Sequence, residues 1–327
     1  MLLFLIINFG FLHLITKIRH KFIHPTDFLN FGIITVIVAL LFKNIYDNDN
    51  CYYLSNMNHG FECTSYFYSS EGKIYLGPNY IRIIFDCVDT DKFKHTSIGD
   101  NNKVFIPRPD QSEIELPDFD FDQRKWIVNN PTLMPEIRTY THRDIDLINK
   151  TLTIEFAMHG TDTVACHWAD RAQRGDQIGV TMSTATRDLI PTGLQHYLII
   201  TDSTGLAVTQ AILKTLPTSS KAYVIAEVPT IADRIELKTQ ADLEQIWLYN
   251  PTPLKQSLLA DELAKHPELI NLPPSRYAHI TAELQAVRAC RNILRKQSDW
   301  GKEDCYACSY WQIGKVDSER FSKVVDD

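Results

Sequence analysis

Cysteine is sparse and odd in number, with seven residues scattered along 327. An odd, scattered set argues against a disulfide framework and fits a reducing compartment. Excess positive charge is also missing. The chain carries 33 Lys and Arg against 40 Asp and Glu, a formal net charge of -7. It therefore has no overall nucleic-acid footprint, and any anionic ligand must be met by a local basic patch. There is no internal repeat and no low-complexity tract. No second cysteine pair stands beside Cys305 and Cys308 to complete four zinc ligands. That pair precedes a predicted strand or tail, whereas a low-pKa Cys-x-x-Cys wants a helix start. No nucleophilic triad is legible.

Long apolar runs occur only at the N-terminus, from Met1 to Ile15 and from Phe28 to Phe42, with Lys17, Arg19 and Lys21 between them. Each run is about 15 residues, short of the roughly 20 that span a bilayer. The basic residues follow the first run, the reverse of a signal peptide. Three readings stay open: a membrane anchor or hairpin, an amphiphilic surface segment, or a true start at a later Met such as Met57. The third is preferred because Asn44 to Tyr68 shows no clear element.

The remainder is ordinary in composition, 44% hydrophobic and 22% charged over a length that suits two domains. From Lys73 short alternating runs begin. Lys73 to Leu76, Tyr80 to Phe85, Lys103 to Pro107, Glu136 to Arg143 and Thr151 to Phe156 read as strands. An acidic linker from Asp110 to Asp122 interrupts them. Many short antiparallel strands suggest a closed barrel. Strands then alternate with helices. Gln195 to Asp202, Lys221 to Val228, Gln245 to Tyr249 and Tyr277 to Ala282 are strands. Leu206 to Leu216, Leu254 to Lys265 and Glu283 to Lys296 are helices, the last with Val287, Cys290 and Leu294 on one face. This alternation implies a parallel sheet whose ligand sits beyond the carboxyl ends of its strands. Arg288, Arg291, Arg295 and Lys296 read as a solvated helix face. The expected divisions are an extension over 1–72, a barrel over 73–190 and an α/β domain over 191–327.

One stretch carries the chemistry. In Arg138-Thr139-Tyr140-Thr141-His142-Arg143 strand alternation puts Arg138, Tyr140 and His142 on one face. An Arg fork can grip phosphate, a Tyr ring can lie on a planar system, and a Thr hydroxyl can bond a ring nitrogen. Together they meet the needs of a flavin dinucleotide. Downstream stand His159-Gly160, Trp168-Ala169 and Gly175-Asp176. In this order the motifs resemble the siderophore-interacting proteins, the FAD-dependent, NAD(P)H-dependent ferric-siderophore reductases, over about Lys73 to Gly314.

The resemblance implies an N-terminal antiparallel FAD-binding β-barrel followed by a ferredoxin reductase-like parallel-sheet α/β nucleotide-binding domain. It implies that Arg138 binds the flavin pyrophosphate, Tyr140 packs on the isoalloxazine and Thr141 bonds its redox-active edge. His159 would lie near the cofactor, and Trp168 and Ala169 near the FAD phosphates. Asp202 and Thr204 survive from the family's Asp-Glu-Thr-Ala-x-Pro turn, and Glu283 ends the counterpart of its Ala-Gly-Glu. Those three would serve NADPH or NADH. Tyr310-Trp311 match the family's Tyr-Trp, but Gln312 stands where a basic residue usually faces the siderophore, leaving Lys315 as the candidate contact. Ser203 replaces the acid of the turn, and Met182 to Ala185 replace a Gly-Pro-x-Gly segment. The implied protein is a cytoplasmic monomer acting on a ferric siderophore, with no nucleic-acid partner. Residues 1–42 would offer contact with the inner face of the plasma membrane.

Overall fold

A computed structural model describes residues 63–315 apart from 121, 124, 161, 162 and 298. The expectations for residues 1–62 and for the tail after 315 lie outside the described residues. The chain divides into two units, Met1–Asn58 and His59–Asp327, and the fold below belongs to the second.

Its first half is a curled antiparallel sheet. The strands are β1 (Cys63–Gly77), β2 (Tyr80–Asp86), β3 (Asn101–Ile106), β4 (Asp118–Asp120), β5 (Lys125–Ile127), β6 (Glu136–Thr141), β7 (Asp144–Asp146), β8 (Thr151–Ala157) and β9 (Gln177–Met182). Seven of them run in the order β6-β3-β9-β1-β2-β8-β7, while β4 and β5 make a separate hairpin. Alternation drives the curl. Ile81, Ile83 and Phe85 turn inward from β2 to meet Phe67, Ile154, Phe156 and Val180. Each such side chain removed from water contributes about 1.5–3 kcal/mol. The curl brings β6 back toward β8, where the Tyr140 and Phe156 ring centroids come within 4.7 Å with no ladder between the two strands.

Three features here differ from, or were absent from, the sequence reading. The first strand starts at Cys63, so Cys63 to Tyr68 belong to an element that the sequence did not reveal. The acidic linker contains β4, paired with β5. Strand β9 lies in the middle of the sheet between β1 and β3, yet its QIGVTM pattern is too short and too mixed to announce it.

The second half is a parallel sheet of β10 (His196–Asp202), β11 (Lys221–Val228), β12 (Asp242–Tyr249), β13 (Arg276–Glu283) and β14 (Cys305–Trp311), in the order β12-β11-β10-β13-β14. Helix α1 (Val164–Arg171) belongs to the barrel. Helices α2 (Leu206–Thr215), α3 (Leu259–Leu263), α4 (Pro267–Ile270) and α5 (Leu284–Gln297) cover the parallel sheet. Central β10 is buried from Tyr197 to Asp202, as a strand with both faces covered must be. Val287, Cys290 and Leu294 of α5 pack on the sheet as expected. The helix expected over Leu254 to Lys265 forms only at Leu259–Leu263, and Pro267 then starts a separate turn. The basic side of α5 is not a solvated face: Arg291 is buried and Arg288 and Arg295 are half-buried, leaving Lys296 exposed.

The two halves share a core. Tyr80 of β2 is buried among Ile199, Leu206 and Val224 of the α/β layer. Beside it, Asp233 takes hydrogen bonds from the Asn79 backbone at 2.6 Å and its side chain at 3.0 Å. The strand order reverses between β10 and β13, which opens a crevice at their carboxyl ends. Asp202, Glu227 and Glu283 stand along that edge.

Candidate functional site

Strand β6 positions the first group of candidates. Its pairing with β3 sets Arg138 opposite Val104 and Tyr140 opposite Asn102. The Arg138 guanidinium donates to Glu136 at 3.0 Å and to the Ile137 carbonyl at 2.9 Å. Tyr140 is half-buried against Phe156. Thr141 points the other way, is buried, and reaches the hydroxyl of Tyr310 on β14. The strand ends there, so His142 does not share the face of Arg138 and Tyr140. It is buried, with Nε2 at 2.9 Å from the Thr96 hydroxyl and Nδ1 without a partner. Burial holds its pKa down at about 4.

The second group gathers at α1. Trp168 lies inside this helix, not at its start, and stacks on Phe85 with centroids 6.0 Å apart. It also approaches Phe156 at 6.2 Å, so Phe156 links Trp168 to Tyr140. Ala169 is wholly buried in the barrel core. His159 is exposed on the loop before the helix. Its hydrogen bond with Cys166 raises its pKa, and burial of the Cys166 thiol is outweighed by His159, which holds the thiol below its usual value. Thr163 occupies the N-cap without capping, and its buried hydroxyl lies against the Cys166 thiol, whose ionised form it also favours. Among the described residues no side chain accepts from the first N–H groups of α1, an arrangement suited to a phosphate.

The third group lies at the carboxyl edge of the parallel sheet, and its groups are already engaged. Asp202 Oδ1 accepts from the Thr204 backbone at 2.9 Å and from the Thr204 hydroxyl. Its Oδ2 accepts from the Glu283 backbone at 3.0 Å and from the Trp311 indole at 2.7 Å. Burial raises the Asp202 pKa against these donors. Glu283 receives the Ala286 N–H at 3.2 Å, at the start of α5, and the Ile313 N–H at 3.3 Å. Gly205 does not lie open to a ligand: a Cβ there would meet the Thr201 hydroxyl, and the Thr281 hydroxyl at 2.5 Å. Lys315 is exposed just past a turn at Gly314, whose φ is 74°. Cys305 and Cys308 sit three positions apart on β14, hence on opposite faces and about 10 Å apart, beyond disulfide reach.

Residues 71–185 match the model of the siderophore-interacting FAD-binding domain, and residues 194–314 match that of the siderophore-interacting protein. The chain belongs to the siderophore-interacting protein family. Within curated proteins it is 29% identical over 243 residues to ferric vibriobactin reductase ViuB of Vibrio cholerae serotype O1, covering 74% of this chain and 88% of that one. In fold it is similar to the siderophore-interacting protein SipS from Aeromonas hydrophila, with TM-score 0.65 and 21% identity over 79% of this chain and 95% of that one. The ferredoxin reductase in carbazole 1,9a-dioxygenase shares the fold at TM-score 0.53 and 12% identity, over 76% of this chain and 68% of that one. These likenesses bear out the expected barrel and parallel-sheet α/β architecture.

The residues present fit FAD. The start of α1, which Thr163 leaves uncapped, offers backbone N–H groups to a phosphate, and Arg138 and Tyr140 lie on the β6 strand of the same barrel. Thr163 was missed in the sequence because a Thr before a helix normally caps it. Trp311 was recognised only as half of a Tyr-Trp match, since nothing local shows its indole reaching Asp202. Glu155 was missed too. Alternation puts it in phase with Thr151 and Thr153, so it reads as an ordinary polar-face residue, and only its apolar neighbours Ile154 and Phe156 hint at burial.

Proposed function

We propose that this member of the siderophore-interacting protein family is an FAD-containing oxidoreductase. It takes electrons from NADPH or NADH and reduces an Fe(III)-siderophore to Fe(II), whose weaker complex releases the metal. Bound FAD would supply the chemistry, accepting a hydride and passing on single electrons. The observation that carries the reading is the β6–α1 arrangement, with Arg138, Tyr140 and the uncapped α1 N-terminus in one barrel whose family model is an FAD-binding domain.

In this reading Arg138 exchanges Glu136 for the pyrophosphate, and the α1 N–H groups beside Thr163 take phosphate oxygens. Tyr140 stacks on the flavin, held from behind by Phe156. Thr141 releases Tyr310 and offers its hydroxyl to the flavin's reactive edge. His159 and Trp168 frame the phosphates, with Ala169 packing α1 onto the barrel. Asp202, Thr204 and Glu283 border the nucleotide crevice, and Lys315 faces the anionic siderophore. Outer-sphere electron transfer needs no general acid or base. Residues 73–190 serve as the flavin half and 191–327 as the nucleotide half.

A second reading has its own observation. The Asp202 turn is closed by Trp311, which suits a module of this fold that binds FAD or siderophore without nicotinamide turnover. A flavin reductase with another acceptor shares the first reading's electron entry. The experiment is anaerobic mixing of flavin-loaded protein with NADPH and with NADH, followed by a ferric siderophore and an Fe(II) chromophore. Flavin bleaching by either nucleotide and its recolouring by the siderophore are expected, with Fe(II) appearing. A flavin that dithionite bleaches but neither nucleotide does would overturn the reductase. Bleaching without Fe(II) would assign another acceptor.

A further inference from the structure

Between the barrel and the parallel sheet lies a buried ionic network that the reaction as proposed does not use. At its centre is Glu155 of β8, whose side chain has no solvent exposure. It accepts from the Tyr80 hydroxyl at 2.8 Å, from Arg82 Nε at 3.0 Å and from Arg143 Nε at 3.2 Å, all barrel residues. The fourth donor comes from the other half, Gln210 Nε2 of α2 at 3.2 Å. Arg143 closes the loop, donating from Nη2 to Gln210 Oε1 at 2.8 Å. Gln210 also reaches the Leu206 carbonyl at 3.4 Å.

The order of residues gives this network a direction. Arg143 follows Thr141 by two residues, at the end of the strand proposed to hold the flavin. Leu206 is the first residue of α2, directly after the Asp202–Gly205 turn proposed to meet the nicotinamide nucleotide. Through Gln210, the Arg143 guanidinium thus links the end of the flavin strand to the first turn of the helix that follows the proposed nucleotide turn. As a source of stability it is a poor choice. Two guanidinium groups share one carboxylate, and Arg143 Nη1 is buried without a partner. A buried network left partly unsatisfied is commonly no more stable than apolar packing of the same volume. Its geometry is what apolar packing could not copy, because a planar fork fixes two acceptors at set positions. Two further charged ties, Lys214 of α2 to Asp144 of β7 at 3.9 Å and Arg187 to Asp100, are at least partly exposed and correspondingly screened.

We propose that Arg143 is a positioning residue that sets the spacing between the end of β6 and the first turn of α2, and with it the approach of the nicotinamide nucleotide to the flavin. The inference rests on the reductase reading. It is tested in the full flavin-loaded chain with Arg143→Met and Arg143→Lys, each compared with the parent in three measurements. These are FAD affinity, the rate of flavin bleaching as a function of nucleotide concentration, and hydrogen exchange of residues 203–207.

Arg143→Met is expected to keep its FAD affinity and its half-saturating nucleotide concentration. The limiting rate should fall about ten- to hundredfold, the scale set by a small misplacement of reacting groups. Exchange at 203–207 should quicken while β11 stays protected. Lys, which cannot fork, should rescue only part of the rate. An unchanged limiting rate, or a loss confined to FAD affinity, would overturn the proposal. Should Arg143→Met fail to fold, Gln210→Leu keeps Arg143 paired with Glu155 and carries the same test. If neither nucleotide bleaches the parent, the reductase reading fails by itself. Exchange then decides the spacing: selective quickening at 203–207 upholds it, and uniform or absent change overturns it.

Discussion

The start of α1 and the turn after β10 are both loop-to-helix junctions beside a sheet, and they meet the problem of unpaired backbone donors in opposite ways. At α1 the Thr163 hydroxyl makes no cap and turns to the Cys166 thiol instead. At the β10 turn, Asp202 caps Thr204 and also collects Glu283 and Trp311. The first junction leaves its backbone N–H groups without an acceptor among the described side chains, and a phosphate could take them. The second has used its hydrogen-bonding capacity internally, so a ligand there must first displace protein groups. The difference is between a preformed site and one that opens, and it predicts tighter flavin than nucleotide binding.

The comparison breaks most completely at Glu155, which ties the two halves together. Glu155→Ala removes the shared partner of Arg82 and Arg143 and should cost about 3–5 kcal/mol, as loss of one member of a buried ion cluster does. The urea midpoint at pH 7 reads this out, and a loss below about 1 kcal/mol would mean that the carboxylate is not what joins the halves.

Acid is the next lever. Burial holds His279 at about 3, with Arg187 adding to the effect, and His142 at about 4. Both lie below the unfolded value of about 6.5. Each therefore contributes stability that is complete above pH 6.5 and is lost as pH falls toward the folded value, because the unfolded chain binds the proton first. By pH 5 the loss should be roughly 2 kcal/mol per histidine. His159, shifted upward, works in the opposite sense. Urea titrations at pH 7 and 5 check the sum, and His279→Gln should remove about half of it.

A sharper contrast comes from the proposed ligands. Arg138→Ala should cost about 1.5–3 kcal/mol of FAD binding, the worth of a charge-assisted hydrogen bond, or roughly tenfold or more in Kd. Calorimetric titration of the apoprotein measures it, and unchanged affinity would remove Arg138 from the site. Trp311→Phe should cost only about 0.5–1.5 kcal/mol of stability through the lost bond to Asp202. It should also lower the nucleotide concentration needed for half-maximal bleaching, since the turn is then easier to open. A rise instead would show that Trp311 helps to bind the nucleotide. The smallest effect belongs to Cys305→Ser and Cys308→Ser, whose flavin reduction should match the parent in reducing and non-reducing buffer, because the two thiols face apart.

Much of this architecture was legible in one dimension. Alternation at Tyr80 to Phe85 and the unbroken apolar run at Tyr197 to Ile200 each reflect a local rule, period two for a half-covered strand and none for a fully covered one. Short elements were not legible. QIGVTM lacks a regular pattern, and its place in the sheet comes from pairing with β1 and β3, 117 and about 80 residues away in the chain. The boundary of α5's buried face was also hidden, because a burial pattern such as that of Arg291 depends on what packs against the helix.

For the site, the sequence by itself determined which chemistry could be present: an Arg, a Tyr and a Thr at strand spacing, and an acidic turn after a buried strand. Those follow from side-chain type and backbone period alone. Only the tertiary structure decided which groups were left open and which were used up. Whether Thr163 caps, whether Asp202 meets Trp311 109 residues away, and whether Glu155 gathers donors from both halves are questions of long-range proximity. Hydrogen-bond satisfaction is a property of three-dimensional neighbours, and neighbours that distant leave no trace in local pattern.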